Sequence, residues 1–229
     1  MASIAAKLQQ VRHRISQACA LAQRDVQSVT LLAVSKTFGP DTVREALAAG
    51  QRAFGENYVQ EALAKIEALA DLRPQIQWHL IGPLQSNKTR EVAAAFDWVH
   101  TIDRLKVAER LSAQRPAGLP PLSVCVQVNV GGEASKSGVP PAEAAALARA
   151  VAALPRLRLR GLMSIPEPVE GLEAQRVPHR RLCALFDALR AEGLALDTLS
   201  MGMSADLEAA IAEGATLVRV GSAIFGARE

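Results

Sequence analysis

The sequence predicts an α/β protein, a single-domain (β/α)8 TIM barrel over residues 1–229 with an N-terminal helix completing its outer ring. Short apolar runs alternate with longer helical patterns along the whole chain, as in a parallel sheet covered by helices. Hydrophobic residues make up 49% of the 229 residues, which is enough for one sizeable core. No linker or low-complexity tract divides the chain, so we expect one domain.

Eight segments have the composition of buried parallel strands. An open doubly wound sheet remains an alternative to the closed barrel, although the sequence contains no GxGxxG motif at a strand end. The predicted strands are 29–36, 52–57, 76–82, 97–102, 122–130, 157–165, 196–202 and 216–221.

Seven helical patterns separate these strands, and several begin at a capping residue or at proline. No further helix follows the last strand, so we expect the amphipathic segment 3–24 to fill its place in the ring. Residues 166–178 are the most irregular stretch, and the glycine-containing segment 131–138 has the composition of a flexible loop. The seven patterns cover 41–50, 58–70, 86–96, 103–114, 141–154, 169–192 and 204–214.

Composition narrows the class of protein. The sequence has no apolar run of membrane-spanning length and no signal-peptide pattern, so we expect a cytoplasmic protein without membrane contact. Its three cysteines and four histidines show no ligand spacing, which argues against a metal site. The net charge of +3 is not concentrated among aromatics, so nucleic acid is not an expected partner.

Lys36 ends the first predicted strand and is one of only six lysines. Alternation places Leu32, Val34 and Lys36 on one face, and in a barrel the chemistry gathers at the carboxyl ends of the strands. A partly buried amine there is a candidate nucleophile for a carbonyl group. The alternative is a lysine that reaches solvent from a strand end.

Arg219 interrupts the last apolar strand, and a buried guanidinium requires a partner. Gly221 and Ser222 follow at a short helical turn, whose amides and hydroxyl suit a phosphate group. Ser200 ends the preceding strand and is expected to border the same phosphate. In the alternative interpretation, Arg219 belongs to an ion pair inside the barrel, and Ser204 serves only as a helix N-cap.

Asn57 lies at the end of the second strand, beside Lys36 in barrel order. Its amide is a candidate contact to a planar ring, or alternatively a cap for the next helix. Segment 79–88 contributes a predicted polar rim that includes His79. An amine, a phosphate cradle and an arginine together favour pyridoxal 5′-phosphate (PLP), with Arg219 facing the pyridine nitrogen. A class I aldolase would share the lysine and the phosphate site without needing that arginine.

The motifs at these residues closely resemble those of the YggS/PROSC family of PLP homeostasis proteins, single-domain relatives of the alanine racemase barrel. The resemblance covers nearly the whole chain and departs mainly at 167–178. The motifs are LLAVSK, FGENYVQE, WHLIGPLQSNK, HTIDR, SKSG, RGLMSIP, LSMGMS and VRVGSAIFGARE.

This resemblance implies that Lys36 forms an imine with PLP, and it assigns the other cofactor contacts. Ser200, Gly221 and Ser222 would hold the phosphate, with Asn57 near the ring and Arg219 at its nitrogen. The implied role is to bind, buffer and deliver PLP in vitamin B6 homeostasis, without established turnover.

The expected partners are PLP and PLP-dependent apo-enzymes, and the expected state is a monomer. The main rival is a PLP-dependent amino-acid racemase or lyase. Racemisation needs acid–base groups on both faces of the substrate carbon, and the sequence has one tyrosine, Tyr58. A nucleic-acid or protein adaptor that works without PLP is a weaker rival.

Overall fold

The computed structural model describes residues 2–132 and 137–226, and its eight parallel strands close into a barrel in chain order. Each strand pairs with the next one, and β8 pairs with β1. The predicted closed barrel is therefore confirmed, and the open sheet is excluded. The strands are β1 (Thr30–Val34), β2 (Ala53–Glu56), β3 (Gln77–Leu80), β4 (Trp98–Ile102), β5 (Leu122–Gln127), β6 (Leu157–Met163), β7 (Thr198–Ser200) and β8 (Leu217–Val220).

Helices follow each strand and surround the barrel. The connections in the described part of the chain include three short 3-10 helices, at Val26–Ser28, Ala70–Gln75 and Ser86–Lys88. The α-helices are α1 (Ile4–Leu21), α2 (Pro40–Ala48), α3 (Val59–Ala68), α4 (Thr89–Ala95), α5 (Leu105–Gln114), α6 (Pro141–Ala152), α7 (Leu172–Ala191), α8 (Leu207–Ala212) and α9 (Ser222–Phe225).

Helix α1 completes the outer ring, as the amphipathic pattern at the start of the chain predicts. The hydroxyl of Ser3 accepts a hydrogen bond from the N–H of Ala6 and so caps the first turn. Leu8, Val11 and Ile15 are buried on one face of the helix, which packs against α2, α8 and α9. The last strand is therefore covered, although among the described residues it is followed only by the four-residue α9.

Alternation along the strands separates the barrel interior from the layer beneath the helices. Leu32 and Val34 of β1 point inward and pack with Ile81 and Leu217. Every second residue from Leu217 therefore faces inward on β8, which brings Arg219 into the barrel. Residues of opposite parity, such as Ala33, join the main apolar core beneath the helices.

Three local predictions differ from the structure. Lys36 lies two residues beyond the end of β1, because the chain turns there. Helix α7 is continuous from Leu172 and contains Pro178, although residues 166–178 were expected to be irregular. Helix α8 begins at Leu207 with Asp206 at its N-cap, so Ser204 lies before the helix and does not cap it.

Candidate functional site

A cavity of about 620 Å³ opens at the carboxyl ends of the strands, where a barrel of this kind places its chemistry. Residues of β1 and β8 and of the loops after β2 and β7 contribute to its wall. Thr37, Ile165 and Ser222 in this wall are solvent-exposed, so the cavity communicates with solvent. Five of the six predicted site residues line it, namely Lys36, Asn57, Arg219, Gly221 and Ser222.

Lys36 is half-buried and occupies a tight turn. The N–H of Phe38 donates to the carbonyl oxygen of Ser35 at 3.1 Å, which closes a β-turn with Lys36 and Thr37 in its middle. Thr37 has φ of +69°, a conformation that costs a residue other than glycine roughly 1–2 kcal/mol. Surrounding contacts must therefore hold this turn in place.

A buried ionic cluster on the outer side of the barrel wall supplies those contacts. The ammonium of Lys65, on α3, donates to the carbonyl oxygen of Ser35 at 2.8 Å and to Glu56 Oε1 at 2.6 Å. Ser35 Oγ also donates to Glu56 Oε1 at 2.6 Å, and the N–H of Thr37 donates to Glu61 Oε1 at 2.6 Å. The turn that presents Lys36 is thus anchored to α3 by two charged side chains.

Burial raises the pKa of Glu56, and hydrogen bonds from Lys65 and Ser35 offset part of that rise. The side chains of Lys65 and Glu56 are 3% and 0% exposed. A buried charge is tolerated only with a partner, so the two residues depend on each other. The sequence patterns did not reveal this cluster. Side chains alternate along each strand, so the pattern that points Lys36 inward points its neighbour Ser35 outward, and Glu56 at the end of β2 also points outward.

Arg219 lies across the floor of the cavity and is almost completely buried. Its Nη1 and Nη2 atoms donate to Ser200 Oγ and to the carbonyl oxygen of Ser164, both at 2.8 Å. Burial lowers the pKa of Arg219 to about 10, with Asp206 opposing the shift. The guanidinium therefore remains protonated at neutral pH, and these hydrogen bonds fix its orientation.

Ser200 is separate from the other predicted phosphate contacts. It is completely buried inside the barrel and does not line the cavity. Its hydroxyl accepts from Arg219 and contacts His100 Nδ1 at 2.8 Å. The inward face of β7 thus places Ser200 beneath the guanidinium, away from the hydroxyl of Ser222.

Ser204 takes the position beside Ser222 that was expected for Ser200. It lines the cavity from the loop after β7, and Ser222 Oγ donates to Ser204 Oγ at 3.4 Å. The N–H groups of Ile224 and Phe225 in α9 donate to the carbonyl oxygen of Gly221, whereas those of Ser222 and Ala223 at the start of the helix have no acceptor within it. The hydroxyls of Ser204 and Ser222 and these amides form a polar corner of the cavity. Ser204 belongs to the same LSMGMS motif as Ser200, so that motif was its signal in the sequence.

Gly221 has no side chain and so allows β8 to pack closely against β1. A Cβ atom at this position would lie 3.1 Å from the carbonyl oxygen of Val34 and 3.3 Å from its Cβ. A larger residue would therefore press on the end of β1, which leads into the turn that carries Lys36. Gly221 lets the polar corner approach the lysine, and its replacement would disturb both.

Asn57 projects from the end of β2, and its Oδ1 atom is buried without a hydrogen-bond partner. Helix α3 begins at Val59 with Tyr58 at its N-cap, so Asn57 does not cap it. Gly82 permits this placement, since a Cβ there would lie 2.1 Å from the carbonyl oxygen of Asn57. A buried polar atom without a partner is costly, and a ligand carrying a donor would satisfy it.

The two predicted loops have different outcomes. In segment 79–88, His79 lies inside the barrel, 1% exposed, and so is not part of a polar rim. Lys88 in the same segment forms an ion pair with Glu91 at 3.7 Å. Segment 131–138 was expected to be flexible, and its residues 133–136 lie outside the described residues.

Within residues 2–132 and 137–226, no cluster of three histidine, cysteine or acidic side chains could hold a metal ion. The described helices also include none that is both long and apolar enough to cross a membrane.

Comparison with known proteins gives consistent matches over the chain. Residues 6–229 match the family described as alanine racemase, N-terminal domain. The chain is 61% identical over 229 residues to the pyridoxal phosphate homeostasis protein of Pseudomonas aeruginosa, covering 100% of this chain and 97% of that protein. Identity to the protein of the same name in Escherichia coli K12 is 54% over 230 residues, covering 100% and 98%. PipY of Synechococcus elongatus PCC7942 with PLP bound has a TM-score of 0.85 at 37% identity, covering 98% and 100% of the two chains.

Proposed function

The chain belongs to the family of the alanine racemase N-terminal domain and of the pyridoxal phosphate homeostasis proteins, and on this premise we propose that it binds PLP in the barrel-mouth cavity. The observation that carries the proposal is the meeting of Lys36, Arg219 and the Ser204–Ser222 corner in one cavity. An amine, a ring-facing cation and an anion site match the aldehyde, the pyridine nitrogen and the phosphate of this cofactor. Asn57 Oδ1 adds a buried acceptor that needs a donor.

Lys36 is the residue that would hold PLP covalently. PLP supplies an aldehyde that a neutral amine can attack. The Lys36 nitrogen would form a double bond to the aldehyde carbon, and the aldehyde oxygen would leave as water. The anchored turn at Ser35 and Thr37 keeps the amine at the cavity while this bond forms.

Arg219 would donate a hydrogen bond to the pyridine nitrogen, because a guanidinium can only donate. The ring nitrogen is then left without a proton of its own. Such a ring is a weaker sink for electrons from a substrate carbon than a protonated one. This supports a protein that holds the cofactor in preference to an enzyme that turns over amino acids.

The phosphate would bind at the Ser204 and Ser222 hydroxyls and at the first-turn amides of α9. Gly221 belongs to this site because only a small residue fits against Val34. Ser200, expected from the sequence to contact the phosphate, would act through Arg219.

We further propose a role in PLP homeostasis, in which the cofactor passes to PLP-dependent apo-enzymes. Tyr58 is the one tyrosine of the sequence, and it is exposed at the start of α3 and not among the cavity-lining residues. Exposed residues around the cavity leave the lysine–cofactor bond accessible to a competing amine. A cytoplasmic monomer remains our expectation.

The test of the binding site is chemical trapping. Purified protein mixed with PLP should absorb in the visible range, and borohydride should fix a phosphopyridoxyl group on the peptide that contains Lys36. Lys36→Ala should abolish the adduct, whereas the control Lys88→Ala should keep it. An adduct on another lysine in the wild-type protein would contradict the proposal.

The test of the role pairs two assays on one preparation. Loaded protein should restore activity to a PLP-dependent apo-enzyme, and it should not exchange the α-proton of common amino acids. Robust exchange that Lys36→Ala abolishes, without transfer to the apo-enzyme, would instead favour the racemase or lyase.

A further inference from the structure

A chain of hydrogen bonds, here called the interior chain, crosses the barrel from the cavity to its opposite mouth. It comprises Arg219, Ser200, His100, His79 and Gln77. Arg219 Nη1 lies 2.8 Å from Ser200 Oγ, and Ser200 Oγ lies 2.8 Å from His100 Nδ1. His100 Nε2 then lies 2.9 Å from His79 Nδ1, and His79 Nε2 lies 3.1 Å from Gln77 Oε1. Gln77 is exposed, so the chain ends at solvent.

The directions of the hydrogen bonds in the interior chain follow from its two ends when both imidazoles are neutral. At one end the amide oxygen of Gln77 only accepts, so His79 carries its proton on Nε2 and its unprotonated Nδ1 accepts from His100 Nε2. His100 Nδ1 is then unprotonated and accepts the proton of the Ser200 hydroxyl. At the other end the guanidinium of Arg219 only donates, so the same hydroxyl accepts from it. Both imidazoles are therefore Nε2–H tautomers.

The neutral state agrees with the surroundings of the two rings. Burial lowers the pKa of His79 to about 3, and burial followed by the charges of His79 and Arg219 lowers that of His100 well below its usual value. His79 also stacks on Trp98, with ring centroids 5.2 Å apart. These contacts leave the rings little freedom to rotate.

The interior chain also compensates the charge of Arg219. The two atoms that accept from Arg219, Ser200 Oγ and the Ser164 carbonyl oxygen, are both neutral. A buried cation without a hydrogen-bonded carboxylate needs oriented dipoles in its place. Each donor in the chain points away from Arg219, so each group turns its lone pair toward the cation.

We propose that His100 and His79 are positioning residues that hold Arg219 as a hydrogen-bond donor toward the cavity. Neither histidine lines the cavity, so both act through Ser200. The inference rests on the proposed function, because the group that Arg219 would contact is the ring of PLP. Disruption of the interior chain should therefore weaken contacts to the PLP ring and leave the Ser204–Ser222 corner unchanged.

The first experiment uses protein without cofactor. Two-bond proton–nitrogen correlation spectra distinguish the two tautomers of a neutral histidine, and variants assign the signals. We expect His79 and His100 to be Nε2–H tautomers, and the Arg219 side-chain N–H groups to exchange slowly with water. A proton on Nδ1 of either ring would overturn the inference. Wild-type protein that takes up no PLP would instead contradict the proposed function.

The second experiment compares variants of residues buried inside the barrel. His100→Phe removes both hydrogen bonds while keeping a planar ring, His100→Gln keeps an acceptor and a donor, and Met163→Leu is a buried control outside the chain. His100→Phe should weaken binding of PLP and of pyridoxal alike, by up to about tenfold, because Ser200 then loses the hydrogen bond that turns its lone pair toward Arg219. It should also speed exchange of the Arg219 N–H groups and shift the absorbance maximum of the bound cofactor.

His100→Gln should recover part of each effect, and Met163→Leu should cause none of them. If His100→Phe fails to fold, His100→Gln still tests the inference, together with a further variant, His79→Phe. The exchange rate of the Arg219 N–H groups in His100→Gln should lie between the rates in wild type and in His79→Phe. Identical Arg219 exchange and cofactor absorbance in His100→Gln, His79→Phe and Met163→Leu would overturn the inference.

Discussion

Lys65 Nζ lies 2.6 Å from Glu56 Oε1 in the layer behind β1, and the same ammonium contacts the backbone oxygen of Ser35. This ion pair links α3 to the turn that presents Lys36. The stability of the barrel wall and the position of Lys36 therefore depend on the same buried ion pair.

Lys65→Met should destabilise the protein by about 3 kcal/mol, because it leaves Glu56 buried without a counter-charge. The double variant Glu56→Gln/Lys65→Met should recover part of the loss, since no unpaired charge remains. Urea unfolding followed by circular dichroism measures both. As a control, Arg44→Ala breaks an exposed ion pair with Asp71 and should have little effect. If Lys65→Met were as stable as wild type, Glu56 would be protonated and uncharged in that variant.

Thr37→Gly should maintain or raise stability, by up to about 1 kcal/mol, because glycine adopts positive φ without steric cost. The looser turn should nevertheless slow the covalent trapping of PLP at Lys36. Gln23→Gly is the matched control, since Gln23 also has positive φ and is exposed just beyond the C-terminal end of α1. It should change stability in the same direction without changing the trapping rate. Equal trapping rates in both variants would show that the strained turn is unimportant for the lysine.

Ser204→Ala and Ser222→Ala should each weaken binding of PLP more than binding of pyridoxal, because only PLP has the phosphate. The loss per hydroxyl should be about tenfold for PLP, as for one hydrogen bond to a charged group. Ser200→Ala should weaken both ligands alike, since Ser200 contacts Arg219. Equilibrium dialysis with each ligand separates these outcomes. A selective loss of PLP in Ser200→Ala alone would restore the assignment made from the sequence.

Acid should destabilise the protein through its buried histidines. The pKa of His79 is about 3 in the folded protein and about 6.5 in the unfolded chain, so between these values the unfolded state binds more protons. Stability is therefore unaffected by this residue above about pH 6.5 and falls as pH drops toward 3. The slope is at most about 1.4 kcal/mol per pH unit for one histidine.

Urea unfolding at several pH values between 7.5 and 4.5 tests this dependence. His79→Gln should reduce the slope, because glutamine does not titrate, whereas the exposed His13→Gln should leave it unchanged. A slope in His79→Gln equal to that of wild type would show that His79 is protonated in the folded protein or contributes nothing to acid unfolding.

The sequence alone predicted the barrel, the strand order and five of the six residues expected at its mouth. Parallel strands buried on both faces appear in the sequence as apolar runs, and the helices between them show a helical period of hydrophobic residues. Local patterns are therefore enough to identify both kinds of element. Alternation by two also predicted that Lys36 and Arg219 face inward. The family resemblance that the motifs indicated is confirmed by the relatives of this chain.

Tertiary structure alone decided which serine lies beside Ser222 and what supports Lys36. Ser200 and Ser204 are four residues apart in one motif, and only the end of β7 and the later start of α8 separate an interior position from the cavity wall. The Glu56–Lys65 pair and the His79–His100 contact join different strands and helices. Such contacts depend on the relative rotation and spacing of packed elements, which no local pattern in the sequence encodes.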